Sequence, residues 1–201
     1  MSTKAILGGT FDPFHNGHLS IVDAAMEELD IENVTLLPTY VQPFKWEKHA
    51  PNCRDRFNML KKLTEKDERF LISDVEIKKK QVSYTFDTLT ELLAGEMKGD
   101  RIVFLMGADS IMSVETWYKG IDLLQLCSFA VGIRPDIDET EVIDKIDHLR
   151  EKYGAEIKPL RNRLIDVSST EIKNRIRSNK DIGGMVPPQI EEYIVEHGLY
   201  K

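Results

Sequence analysis

The stretch Gly8-Gly9-Thr10-Phe11-Asp12-Pro13-Phe14-His15-Asn16-Gly17-His18 follows directly on a short apolar run, Ala5-Ile6-Leu7. An apolar strand ending in a glycine pair lets backbone approach a ligand with no Cβ in the way. A helix starting near Asn16 or Gly17 then offers free amides and a favourable dipole to an anion. His15 and His18 stand beside that position, and imidazole donates hydrogen bonds to phosphate oxygens. The same letters also permit a plain β-turn at Asp12-Pro13 with Asn16 capping the helix. They are neither Gly-x-x-x-x-Gly-Lys-Ser/Thr nor Gly-x-Gly-x-x-Gly, so neither of those nucleotide-binding folds is indicated.

Strand and helix patterns alternate along the rest of the chain. Leu19, Val22, Ala25, Met26 and Leu29 fall at helical spacing over 17–29. Asn33 to Leu37 reads as a strand closed by Pro38, and 38–52 as a loop carrying prolines, aromatics and lysines. A helix is predicted over 54–66, a strand over 70–73 and a helix over 84–94, with the charged run Glu76 to Lys80 read as a solvated edge or turn. Arg101 to Met106 is apolar without alternation, as expected of a central parallel strand covered on both faces. Ser128 to Ile133 is a further buried strand, 139–153 an amphipathic helix, and 169–178 and 188–196 two short closing helices. The pattern predicts an α/β fold, a parallel sheet with helices on both faces. Ligands of such sheets sit outside the carboxyl ends of the strands, where Gly8-Gly9, Pro38, Gly107-Ala108-Asp109 and Arg134 fall.

At 201 residues the chain is long enough to bury a core without disulfides or a structural metal, and it reads as one domain over 1–201. Residues from about 160 onward form a helical C-terminal portion of that domain. No apolar run approaches the roughly 20 residues needed to span a bilayer, and the N-terminus lacks a signal-peptide pattern, so a cytoplasmic location is expected. Cys53 and Cys127 form no Cys-x-x-Cys pair, which leaves zinc sites and disulfide scaffolds unsupported and predicts no protein-held metal. A net charge of −7 argues against nucleic acid as the main partner but allows a small phosphorylated ligand.

Gly8 to His18 resembles the first signature of the HxGH nucleotidyltransferases, here His15-Asn16-Gly17-His18. That superfamily has a Rossmann-like fold and transfers a nucleotidyl group from a nucleoside triphosphate, releasing pyrophosphate. Its second signature resembles Val167-Ser168-Ser169-Thr170-Glu171-Ile172-Lys173; taken alone, Ser168 and Glu171 form a helix capping box. Over nearly its full length the chain is similar to the bacterial nicotinate-nucleotide adenylyltransferases. Ser83-Tyr84-Thr85-Phe86-Asp87-Thr88-Leu89, Gly107-Ala108-Asp109-Ser110 with Trp117-Tyr118, Arg134-Pro135 and the ending Val186 to Tyr200 carry that likeness. Two departures stand out: Lys173 occupies a usual arginine position, and Phe44 replaces the histidine of a Pro-Pro-His-Lys loop.

The resemblance implies adenylyl transfer from ATP to nicotinate mononucleotide, with Mg²⁺ arriving on ATP. It implies an ATP side made of Gly8, Gly9, Thr10, Phe11, His15, His18, Gly107, Asp109, Ser168, Ser169, Thr170, Lys173 and Arg175. His15, His18 and Lys173 are the catalytic candidates, and which of Lys173, Arg175 and Arg177 reaches the phosphates stays open. The acceptor side is Lys45, Tyr84, Thr85, Trp117, Tyr118 and Arg134. Trp117 also fits an ordinary core aromatic, and Asp109 an ordinary helix cap. Another acceptor (nicotinamide mononucleotide or phosphopantetheine) and a non-catalytic nucleotide sensor are the alternatives; a homo-oligomer stays open.

Overall fold

The computed structural model describes residues 3–41, 53–133 and 137–201. Six strands among them form one parallel sheet: β1 (Thr3–Gly9), β2 (Val34–Pro38), β3 (Phe70–Ile72), β4 (Arg101–Gly107), β5 (Ser128–Gly132) and β6 (Ile157–Leu160). Their order is β3-β2-β1-β4-β5-β6. The chain therefore winds outward in one direction from β1 and in the other from β4. The switch point lies between those two neighbours, where a Rossmann-like sheet binds its ligand.

Helices cover both faces: α1 (Asn16–Leu29), α2 (Cys53–Thr64), α3 (Val75–Lys79), α4 (Thr85–Ala94), α5 (Ala108–Ser113), α6 (Gly120–Leu126), α7 (Glu139–Tyr153), α8 (Ser169–Arg177) and α9 (Pro188–Glu196). The two-residue period of a strand divides the core. Ala5 and Leu7 of β1 pack with Val22, Leu60, Ile172 and Ile190, from α1, α2, α8 and α9. Ile6 packs with Leu89, Ile111, Leu123 and Ile146, from α4, α5, α6 and α7. Because β4 has apolar side chains on both faces, it joins the two layers, Leu105 on one side and Phe104 and Met106 on the other. No helix among the described residues is long and apolar enough to cross a membrane.

Most predicted elements are present within a residue or two of their expected ends. Three features differ. The stretch 108–126 folds as α5, a 3₁₀ turn (Val114–Thr116) and α6, pieces of six, three and seven residues that are too short to show helical periodicity. β6, Ile-Lys-Pro-Leu, carries a lysine and a proline that hide its strand character; both are tolerated because it is the edge strand. The charged run at Glu76 is the helix α3, and Glu76 is 3% exposed rather than solvated.

Candidate active site

The loop after β1 turns at Asp12-Pro13, a cis peptide, and enters α1. His15, not Asn16, is the residue at the cap position, with an extended backbone at φ −143°. Asn16 instead reaches the far end of the chain: its side-chain amide donates to Gly184 O at 2.7 Å and its backbone N–H to Met185 O.

The two histidine rings stack with centroids 3.7 Å apart. The backbone N–H of His15 donates to His18 Nδ1 at 3.2 Å. An accepting Nδ1 places the proton of neutral His18 on Nε2, so that nitrogen is the donor. Phe14 also stacks on His18 at 5.2 Å and Phe11 meets it edge-on at 5.3 Å, so three rings pack against it. A Cβ on Gly17 would lie 3.0 Å from His15 Nδ1 and 3.3 Å from Val167 Cγ1. Glycine stands between the histidines because the His15 ring lies over its Cα.

A cavity of about 740 Å³ opens at the carboxyl ends of β1 and β4. Gly8, Gly9, Thr10, Phe11, His15, His18, Gly107 and Asp109 line it, together with Ser168, Ser169 and Thr170 of the α8 start. The two signature segments touch: Ser169 Oγ donates to Pro13 O at 3.0 Å, across 156 residues of chain. Ser168 caps α8 by accepting from the Glu171 N–H, one half of the expected capping box. Asp109 lies in the first turn of α5, whose cap position belongs to Gly107. A Cβ on Gly107 would meet nothing within 4 Å, so this glycine leaves open space at the strand end.

Tyr84, Thr85, Trp117 and Tyr118 line the same cavity. Thr85 is the first residue of α4, so its amide is one of the helix's free N-terminal donors. Tyr84 and Tyr118 pack ring to ring at 4.7 Å, and Trp117 Nε1 donates to Ser113 Oγ at 3.3 Å. The turn before Trp117 is tied to α7 through Glu115, which takes Lys145 Nζ at 2.5 Å and Tyr153 Oη at 2.6 Å. These partners pull the Glu115 carboxyl down to about 2.

Lys173 and Arg175 are not among the cavity's lining residues. Lys173 Nζ donates to Asp12 Oδ2 at 2.8 Å, and Tyr200 Oη donates to Asp12 Oδ1 at 2.8 Å. Burial by itself would raise the Asp12 carboxyl; the two hydrogen bonds and the charges of Lys173 and Arg56 outweigh it and hold it below its ordinary value. The ammonium of Lys173 thus braces the turn behind the histidines. Arg175 Nε donates to Asp181 O, beside a shallow depression outside α8. Lys45 and Arg134 lie outside the described residues.

Two polar residues, one of them buried, had no signal in the sequence. Glu76 lines the cavity and accepts from Thr88 Oγ1 at 2.8 Å, and burial pushes its carboxyl up. Asn162 bridges the end of β5, accepting from Ile133 N–H at 2.8 Å and donating to Ile133 O at 3.0 Å. A lone glutamate in a lysine run and a lone asparagine in an irregular stretch give no periodicity or motif to read.

Residues 6–175 match the cytidylyltransferase-like family. The chain belongs to the cytidylyltransferase-like family. It is 36% identical over 200 residues to a Clostridium acetobutylicum protein named "Probable nicotinate-nucleotide adenylyltransferase", with all of both chains covered. A Clostridium botulinum protein of the same name is 36% identical over 202 residues, again with both chains fully covered. Among solved structures, the fold is similar to Plasmodium falciparum nicotinic acid mononucleotide adenylyltransferase complexed with NaAD, with a TM-score of 0.78 at 18% identity. The alignment covers 100% of this chain and 98% of that one. The same enzyme complexed with APC gives a TM-score of 0.74 over the same coverage.

Proposed function

We propose that this chain is an adenylyltransferase that joins the AMP part of ATP to nicotinate mononucleotide, giving deamido-NAD and pyrophosphate. The observation that carries this reading is a single cavity at the switch point. There His15, Gly17, His18 and the Ser-Ser-Thr helix start line one cavity together with Tyr84, Thr85, Trp117 and Tyr118. Full-length similarity to relatives bearing the nicotinate-nucleotide adenylyltransferase name supports the same substrate pair.

In this reaction an oxygen of the acceptor's phosphate bonds to the α-phosphorus of ATP. The bond from that phosphorus to its bridging oxygen breaks, and pyrophosphate leaves with the electron pair. The acceptor phosphate is ionised at neutral pH, so no base or covalent intermediate is needed. Catalysis is positioning and stabilisation of charge. We assign the α-phosphate to His18 Nε2–H and neighbouring oxygens to His15, the Thr10 and Phe11 amides and the hydroxyl-rich α8 start. Mg²⁺ enters as part of the substrate, held by the triphosphate's own oxygens. No group of three His, Cys, Asp or Glu side chains able to hold a metal occurs among the described residues.

On the acceptor side a flat, electron-poor pyridine ring suits Trp117. Its carboxylate suits the Thr85 amide, because the N-terminal dipole of the ten-residue α4 favours an anion. This preference for negative charge is what selects nicotinate over nicotinamide. Lys45 and Arg134 are assigned to the mononucleotide phosphate, and with two cytosolic nucleotides as substrates we place the enzyme in the cytoplasm. The test is pyrophosphate release with ATP, Mg²⁺ and a panel of mononucleotides. Activity with the nicotinamide form equal to or above the nicotinate form refutes the substrate assignment; ATP binding with no release for any acceptor refutes the enzyme reading.

A further inference from the structure

Arg56 of α2 is completely buried, with 0% of its surface exposed. It does not line the cavity; it lies behind its wall. Its guanidinium donates to three backbone carbonyls: Nη1 to Thr10 O at 2.5 Å, and Nη2 to Thr39 O at 2.7 Å and Tyr40 O at 3.0 Å. Thr10 follows the glycine pair of β1, and Thr39 and Tyr40 follow β2. One side chain thus fastens the ends of two neighbouring strands. A buried cation carries a large desolvation cost, so a core filled for packing alone does not call for one.

The consequence follows from peptide geometry. In a trans peptide the C=O and the following N–H point in opposite directions. The Thr39 peptide shows this directly: its carbonyl faces Arg56, and the N–H of Tyr40 on the other side donates to Ser83 Oγ at 3.2 Å. Ser83 immediately precedes Tyr84 and Thr85 of the acceptor wall, and its own N–H donates to Val41 O. The Thr10 peptide, drawn back in the same way, turns the N–H of Phe11 outward, and both residues line the cavity. Phe11 takes a positive φ of 50°, a conformation a residue with a Cβ holds only where its surroundings enforce it.

We propose that Arg56 is a positioning residue for the transfer reaction: its fork aims the Phe11 amide at the phosphate end of the cavity and, through Tyr40 and Ser83, holds the acceptor wall against it. This rests on reading the cavity as an ATP site. Lysine cannot do the same work, because an ammonium lacks the planar fork that spans carbonyls on two strands. The Phe11 amide belongs to the class of donor whose loss costs roughly 100- to 1,000-fold in turnover. A misaimed donor loses part of that, so Arg56→Lys is expected to lower kcat at least about tenfold while the KM for ATP stays within about threefold.

Two measurements test it. In ¹⁵N-labelled wild-type protein the Phe11 amide resonance is followed as Mg-ATP is added; it is expected to shift, and an unmoved resonance at saturation overturns the proposal whether or not the variant folds. In Arg56→Lys, checked for folding by circular dichroism, that shift is expected to shrink and kcat to fall. A variant with kcat within twofold of wild type, or one whose loss appears only as a lower Tm, overturns it as well. A wild type that shows the Phe11 shift but releases no pyrophosphate with any acceptor refutes the adenylyltransferase reading and leaves the clamp supported.

Discussion

Gly17→Ala separates folding from chemistry in a single methyl group. Gly17 is the second residue of α1, and its φ is not positive, so alanine is conformationally allowed there. Alanine in a helix gains about 0.5–1 kcal/mol over glycine. Against this, the new Cβ would stand 3.0 Å from His15 Nδ1, 3.1 Å from His15 Cε1 and 3.3 Å from Val167 Cγ1. His15 is buried and stacked at 3.7 Å on His18, so its ring has little room to move without carrying His18 along. The relief needed is a few tenths of an ångström. A displacement of about 1 Å costs on the order of 100-fold in rate; the smaller shift scales to about fourfold, or about 0.8 kcal/mol of barrier. We expect kcat for pyrophosphate release to fall about fourfold while Tm moves by no more than about 4 °C in either direction. The assay pairs initial-rate kinetics with a thermal melt on the same preparation. Full activity in a stably folded Gly17→Ala protein refutes the argument that the histidine pair requires glycine between its members.

His18→Ala is expected to lower kcat far more than it weakens ATP binding, measured by steady-state kinetics beside calorimetry; near-normal turnover removes His18 from the transition state. Glu115 stabilises the fold at neutral pH. Its carboxyl is at about 2 in the folded chain against an ordinary 4.5, so its contribution is complete above 4.5 and is lost as pH falls toward 2. Urea midpoints of Glu115→Gln, followed down that range, are expected to fall less steeply than those of the wild type. The same substitution loosens the turn before Trp117, so the KM for the mononucleotide is expected to rise while that for ATP does not. Lys173→Met leaves Asp12 with Tyr200 as its remaining hydrogen-bond partner of the pair and is expected to cost about 2 kcal/mol in chemical denaturation, discounted from a fully buried pair because Lys173 is partly exposed. Gly120→Ala places a Cβ 2.0 Å from Val114 O, a backbone atom that cannot swing aside. At least about 2 kcal/mol of destabilisation is expected.

The ends of β1 and β4 and the helix that follows β1 were legible because apolar runs, glycine pairs and helical spacing are local signals. The helix start at HNGH was legible for the same reason, since glycines and two imidazoles fall with it within eleven residues. Lys173 shows the limit of that reading. Its position in a signature pointed toward phosphate, yet its ammonium lies 2.8 Å from Asp12, a partner 161 residues away that no spacing rule reveals. Glu76 shows it again, since a glutamate beside three lysines looks solvated until the packing of α3 on the sheet buries it.

By itself the sequence determined the α/β class and the strand ends at which the cavity opens, because each depends on neighbours a few residues apart. Tertiary structure alone decided which polar side chains act on the cavity and which act behind it. Arg56, Asn162, Asp12 and Lys173 take their roles from hydrogen-bond partners on other elements, brought within about 3 Å by the parallel winding of the sheet. A buried charge is placed by the partners that offset its desolvation, and those partners are neighbours in space before they are neighbours in sequence.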